Sequence, residues 1–229
     1  MTVTEAIMAR RSVRSFKSDP VQEPVIRRLL ADAARAPSGG NLQPWHVHAV
    51  VGERLAELLA HVAAAGPDPE PAYRIYPENL EEPYRTRRFA NGEQLYASIG
   101  LPREDRAGRF RQLGRNLQLF GAPVGLFVFI DRNMGRPQWA DLGMYLQSLM
   151  LLAVEQGLDT CPQEFWAAYA NPVSSFLGAP ENHMLFCGVA LGVGESEAPI
   201  NSFSTTRAAP EEWLSFHGFG DSGANAPIQ

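Results

Sequence analysis

Two stretches of this chain leave little choice about where they can lie. Val124–Ile130 reads VGLFVFI and Met184–Val193 reads MLFCGVALGV, and neither carries a charged side chain. A strand with one wet face alternates apolar and polar residues, whereas a continuous β-branched and aromatic run suits a strand covered on both faces. A further strand is expected at His46–Val51, which alternates. The cover has to come from helices. Short helical spacing is read at Val3–Arg11, with Ile7 and Met8 turned inward. In Gln22–Arg35, Val25, Ile26, Leu29, Leu30, Ala33 and Ala34 recur opposite Arg27, Arg28 and Asp32. Arg54–Ala65 is a second amphipathic helix, and the mostly apolar Trp139–Gln156 is expected at the centre. Asn171-Pro172 supplies an N-cap and a first-turn proline for a short helix ending at Leu177. Helices and strands do not alternate regularly, which excludes a doubly wound parallel sheet and leaves an α+β fold.

At 229 residues, 45% of them apolar and 20% charged, the chain can bury a full core without disulfides or structural metal. A single domain over residues 1–219 is expected. Gly66–Arg111 differs in kind: Pro67, Pro69, Pro71, Pro77, Pro83 and Pro102 interrupt any long period. Its aromatics, Tyr73, Tyr76, Tyr84, Phe89 and Tyr96, need something to pack on, so it is read as a lid or partner-contacting excursion. The tail from Ala198 has little periodicity, but Phe203, Trp213, Phe216 and Phe219 suggest that it lies across another surface. Residues 220–229 are expected to be disordered.

Several chemistries can be set aside. A net charge of −5 and a pI near 5.6 offer no basic footprint for nucleic acid. Lys17 is the one lysine among 20 basic residues, so Schiff-base chemistry would rest on it alone. Cys161 and Cys187 form no CxxC pair, the histidines form no HExxH, and His46 with His48 lack a third ligand; no metal is expected. No apolar stretch reaches the ~18–20 residues of a membrane span. Arg10-Arg11 is followed by no apolar leader region, and a cytoplasmic protein is expected. GxGxxG, GxxxxGK[ST] and GxSxG are all absent.

Three segments remain. In RRSVRSF, Arg10, Arg11 and Arg14 flank Ser12; guanidinium forks and a hydroxyl match phosphate, although a solvated cationic patch would read the same way. PSGGNLQPW (Pro37–Trp45) has small residues that let backbone approach a ligand, and equally makes an ordinary helix-to-strand turn. GLDTCPQEFW (Gly157–Trp166) could present backbone N–H groups after Pro162. Glu164 is an acid/base candidate there, and Cys161 is a thiol with no activating base beside it.

Taken in order, RRSVRSF, AARAPSGGNLQPW, the strand after it, DLGMYLQSLMLLAVEQGLDTCP, FCGVALGVGE and Arg207 resemble the FMN-dependent nitroreductase family over most of Thr4–Arg207. The resemblance implies a central, mostly antiparallel sheet flanked by helices, in an interlocked homodimer with FMN at the interface. It implies that Arg10 and Arg207 bind the phosphate, with Arg11 and Ser12 near the phosphate and ribityl chain. Arg14 would lie by the pyrimidine edge of the flavin. Pro37, Ser38, Gly39 and Asn41 would cover the flavin from the other subunit. Pro162, Gln163 and Glu164 would lie against the ring, the Glu164 N–H facing N5. The activity implied is NAD(P)H-dependent reduction of nitroaromatics to hydroxylamines or amines by a ping-pong hydride transfer through N5. The alternatives are a quinone, enone or halogenated phenol as acceptor, or a flavin-binding protein without turnover. Tyr84, Phe89, Tyr96 and Phe110 are candidates to sandwich the substrate. Phe165 and Trp166 after the glutamate, and Thr205-Thr206 before Arg207, depart from the family pattern.

Overall fold

The structure, a computed structural model, describes residues 1–218, so the tail at 220–229 lies outside the described residues. In chain order the helices are α1 (Val3–Ala9), α2 (Glu23–Ala33), α3 (Gly52–Ala65), α4 (Tyr84–Ser98), α5 (Arg106–Gly114), α6 (Arg136–Glu155), α7 (Ala170–Leu177) and α8 (Pro199–Ser202). The strands β1 (His46–Val51), β2 (Val124–Asp131), β3 (Asp159–Gln163) and β4 (His183–Gly192) form one antiparallel sheet in the order β1-β2-β4-β3.

The two apolar runs occupy the centre of that sheet, as their composition requires. Every residue of Val124–Ile130 is buried. Alternate side chains divide them between two cores. Val124, Leu126, Val128 and Ile130 pack with Val189 and Leu191 against α2 and α6. Phe127, Phe129 and Leu185 pack on the opposite face against α3 and α7. Full burial of each such side chain stabilises by roughly 1.5–3 kcal/mol. Gly188 on β4 is one point where a side chain is impossible: a Cβ there would stand 2.6 Å from Nε1 of Trp166, whose indole occupies that space.

Some local expectations are corrected. In α1 the buried residue is Ala6, while Ile7 and Met8 are 50% and 81% exposed; two turns of helix give too short a period to choose a face. Helix α7 begins at Ala170, and Asn171 is inside it. Its N–H is capped from a distance by Asp68 Oδ2 at 2.9 Å. Asp159–Gln163, assigned to no element from the sequence, is a strand. The excursion is helical from Tyr84 onward, α4 and α5 being tied by a bidentate Arg109–Glu93 pair at 2.5 and 2.9 Å. No residue of α4 is buried, which explains why its polar sequence shows no helical stripe. Among the described residues, no helix is long and apolar enough to cross a membrane.

Candidate active site

The site is built on the free edge of β3. Residues beyond α1 run alongside that edge: the Val13 N–H donates to the Thr160 carbonyl at 3.0 Å, and Ser12 bridges Thr160 in parallel. Extended backbone sends successive side chains to opposite sides. Val13 and Ser15 therefore enter the core, while Ser12 and Arg14 stay half-buried on the other side.

A buried amide from the far end of the chain locks this segment in place. Asn201, on α8, accepts from the Arg14 N–H at 2.8 Å and donates to the carbonyls of Ser15 and Glu195 at 2.8 and 2.9 Å. The same C-terminal stretch brings Arg207 beside Arg10. Burial lowers the Arg10 pKa, and the neighbouring positive charge of Arg207 lowers it further. Neither guanidinium forms an ion pair with a carboxylate among the described residues. Arg207 instead donates to Thr205 Oγ1 at 2.6 Å. Arg11 donates to the Asn201 carbonyl at 3.0 Å.

Beside Arg14 opens a cavity of about 710 Å³. Its floor is Pro162, Gln163 and Glu164, and α6 contributes Gly143, Leu146 and Met150 to its wall. The floor has a defined main-chain polarity. The Thr160 carbonyl faces outward to Val13, so with a two-residue period the Pro162 carbonyl and the Glu164 N–H face outward too. Proline is tolerated there because it sits opposite Val189, between bonded pairs, where no N–H is required. The Glu164 N–H also opens a 3-10 turn, Glu164–Tyr169, and has no acceptor within it. The Gln163 side chain is already committed: it donates to the Asn116 carbonyl and Oδ1 at 3.0 and 2.9 Å and accepts from Trp166 Nε1 at 3.4 Å. Its main-chain N–H and C=O face β4 by the same two-residue period, so Gln163 offers a ligand no free hydrogen-bonding group.

The titratable groups of the floor are tuned away from nucleophilic roles. Burial pushes the Cys161 thiol up to about 11 and raises Cys187 further, the Glu164 charge adding to the effect on Cys187. Both thiols stay protonated at neutral pH. The Glu164 carboxyl reaches solvent through the cavity, yet the protein crowded round it raises its pKa by desolvation. A raised carboxyl means that the folded state holds its proton to higher pH than the unfolded chain. Stability therefore falls as pH rises from the ordinary glutamate range through the folded value. Glu164→Gln is expected to raise Tm slightly at pH 7.5 and to leave it unchanged near pH 4, as read by thermal unfolding at both.

The loop bearing Pro37, Ser38, Gly39 and Asn41 does not line this cavity. It is held against α6, the Gly39 N–H donating to the buried Asp141 at 3.1 Å. Gly40, Asn41 and Gln43 all take positive φ (59°, 57° and 51°), a shape that exposes Gly39 and Asn41 to solvent. Of the aromatics expected at the substrate, Tyr96 lines the cavity and Tyr76 joins it. Tyr84, Phe89 and Phe110 do not; they are 61%, 51% and 77% exposed elsewhere on the excursion. Asn201, Asn116 and Arg88 also belong to the site, and nothing in their local sequence marks them. Among the described residues there is no three-ligand metal cluster; His46 stacks on His183 with centroids 4.0 Å apart.

The nitroreductase family model matches residues 7–193. The chain is 36% identical over 215 residues to a 4-nitrobenzoate reductase of Pseudomonas putida, covering 93% of this chain and 94% of that protein. It is 34% identical over 218 residues to a nitrobenzene nitroreductase of Ectopseudomonas oleovorans, covering 93% and 96%. In structure it is similar to the FMN- and NADPH-dependent nitroreductase NfnB from sphigopyxis sp. strain HMH: TM-score 0.92, 47% identity, 96% of this chain and 100% of that one. The FMN-dependent NfnB from Mycobacterium smegmatis, solved with NADPH, gives TM-score 0.88 at 30% identity, over 94% of this chain and 98% of that one. With a family match that runs from α1 to the end of β4 and relatives similar over more than nine-tenths of both chains, the chain belongs to the nitroreductase family.

Proposed function

We propose that this chain is an FMN-dependent NAD(P)H:nitroaromatic oxidoreductase that works as a cytoplasmic homodimer, where NAD(P)H is supplied. The observation that carries the reading is the approach of Arg10 and Arg207, far apart in sequence, neither paired with a carboxylate among the described residues. Two guanidiniums held together against their own repulsion fit a phosphate dianion, which would bridge them by charge-assisted bonds. Bound there, FMN supplies the centre that takes hydride from NAD(P)H and gives it to an acceptor.

The protein's part follows from its own groups. Arg10, Arg207 and Ser12 hold the phosphate and ribityl tail, and Arg11 ties the C-terminal segment to α1 through Asn201. Pro162 offers a flat apolar floor, and Glu164 an N–H on the open strand edge. Arg14, tethered by its own N–H, places a positive charge where a reduced ring would carry negative charge. Donor and acceptor use one cavity in turn, and no side-chain acid is required. Exposed Met8, Phe110 and Trp213 (81%, 77% and 69%) support an interface with a second copy. The preformed loop at Pro37, Ser38, Gly39 and Asn41 would cover the partner's flavin.

The test is the absorbance spectrum of pure protein before and after anaerobic NADPH, then after a nitroaromatic. A flavin spectrum that bleaches and returns supports the reading; a colourless preparation that takes up no FMN overturns it. With folding intact, Arg14→Ala is expected to slow nitroarene-dependent NADPH oxidation by about a hundredfold, the order seen when one donor to developing charge is removed. Undiminished turnover in that variant would remove Arg14 from the mechanism.

A further inference from the structure

The mouth of the cavity carries a cation that the proposed flavin chemistry does not use. Arg88 sits on α4, sharing its cavity face with Leu95 and Tyr96 seven and eight residues further on. Its neighbours on the same helix have partners. Arg85 pairs with Glu82 at 2.7 Å, and Arg87 with Glu212 at 2.8 Å. Arg88 pairs with no carboxylate among the described residues; its guanidinium lies over the Tyr76 ring, 4.0 Å from the centroid. A guanidinium stacked through its face keeps its in-plane N–H donors free, and those donors match the two oxygens of a carboxylate. The ring beneath fixes the fork, so less freedom is lost when an anion docks.

The rest of the lining agrees in charge and shape. Arg14 is the other cation, and Glu164, the one acid among the lining residues, has a raised pKa. Tyr76, Tyr96 and Phe165 give the cavity flat aromatic walls. A ligand that satisfies all of these is a planar arene with an anionic group at one end.

We infer that Arg88 is a specificity-determining residue whose guanidinium, stacked on Tyr76 at the cavity mouth, receives the carboxylate of a ring-carboxylated nitroarene. The nitro group would then point toward the flavin held over Pro162 and Glu164. This rests on the proposed nitroreductase reading. The same fork could take the 2′-phosphate of NADPH, and the test separates the two.

The experiment uses the flavin-loaded protein, with 4-nitrobenzoate and its uncharged methyl ester as paired acceptors. Wild type is expected to favour the acid in kcat/KM, and Arg88→Ala to lower the acid-to-ester ratio about tenfold, chiefly through KM, as one partly solvated charge-assisted contact would. Arg88→Lys keeps the charge but not the fork, and is expected to recover only part of that ratio. Calorimetric titration with 4-nitrobenzoate gives a readout free of turnover: Kd should rise about tenfold in Arg88→Ala. An unchanged acid-to-ester ratio with unchanged Kd overturns the inference and leaves the nitroreductase reading intact. A variant that loses discrimination between NADPH and NADH instead also overturns it, assigning Arg88 to the phosphate. Arg88-dependent binding of 4-nitrobenzoate without reduction of either acceptor upholds the binding inference and overturns the nitroreductase reading.

Discussion

Arg10→Ala is expected to give a folded protein that no longer retains FMN. Each charge-assisted bond to a phosphate contributes about 1.5–3 kcal/mol, so loss of the half-buried Arg10 should raise the FMN Kd by roughly ten- to a hundredfold. The flavin-free protein should respond in the opposite direction. Arg10 is disfavoured by burial and by the charge of Arg207, so its removal relieves a cost that only an anion offsets. Flavin-free Arg10→Ala is therefore expected to melt at or above the flavin-free wild type, while added FMN raises Tm far less. Flavin fluorescence titration and thermal unfolding with and without FMN measure the two effects. An unchanged FMN affinity would show that the two guanidiniums meet for another reason.

The largest loss of stability is expected at Trp166. Its indole is fully buried, stands edge-on to Phe127 with centroids 5.1 Å apart, and covers Gly188. Trp166→Ala should cost about 3–5 kcal/mol. At about 2–4 °C per kcal/mol for a chain of this size, Tm should fall by roughly 6–20 °C. The indole N–H is also bonded to Gln163, which Asn116 holds from the other side. The variant is therefore expected to loosen the cavity floor and weaken FMN binding as well. Trp166→Phe, which keeps most of the volume and loses the N–H, should lose less stability and still bind FMN more weakly. Equal FMN affinity in both variants and wild type would separate the floor from the core beneath it.

The parts of this fold that could be read from the residues are those where one physical demand dominates. Val124–Ile130 and Met184–Val193 can only be central strands, and the stripe of Ile26, Leu29 and Ala33 can only cover them. Strand β3 was hidden because Asp159 and Pro162 disfavour strands in general and are tolerated at an edge. Helix α4 was hidden because it buries nothing in its own chain. In the site, the arginine-rich segment stood out by composition, but its meeting with Arg207 came from the resemblance, since no spacing rule links residues so far apart. Asn201, Asn116 and Arg88 had no local signature, for their roles arise when distant elements pack. Aromatic content alone could not separate Tyr96, which lines this chain's cavity, from Tyr84, Phe89 and Phe110, which do not, because it says nothing about which side of a helix faces the cavity.

The clasp made by Asn201 has a consequence for biogenesis. Both halves of the anion grip are far apart in sequence, and the buried amide of Asn201 ties the segment carrying Arg14 to the stretch that leads to Arg207. A nascent chain still lacking that stretch has the sheet and the floor but no means of closing on its prosthetic group. A polypeptide shortened to just before Asn201 is therefore expected to collapse yet fail to hold FMN.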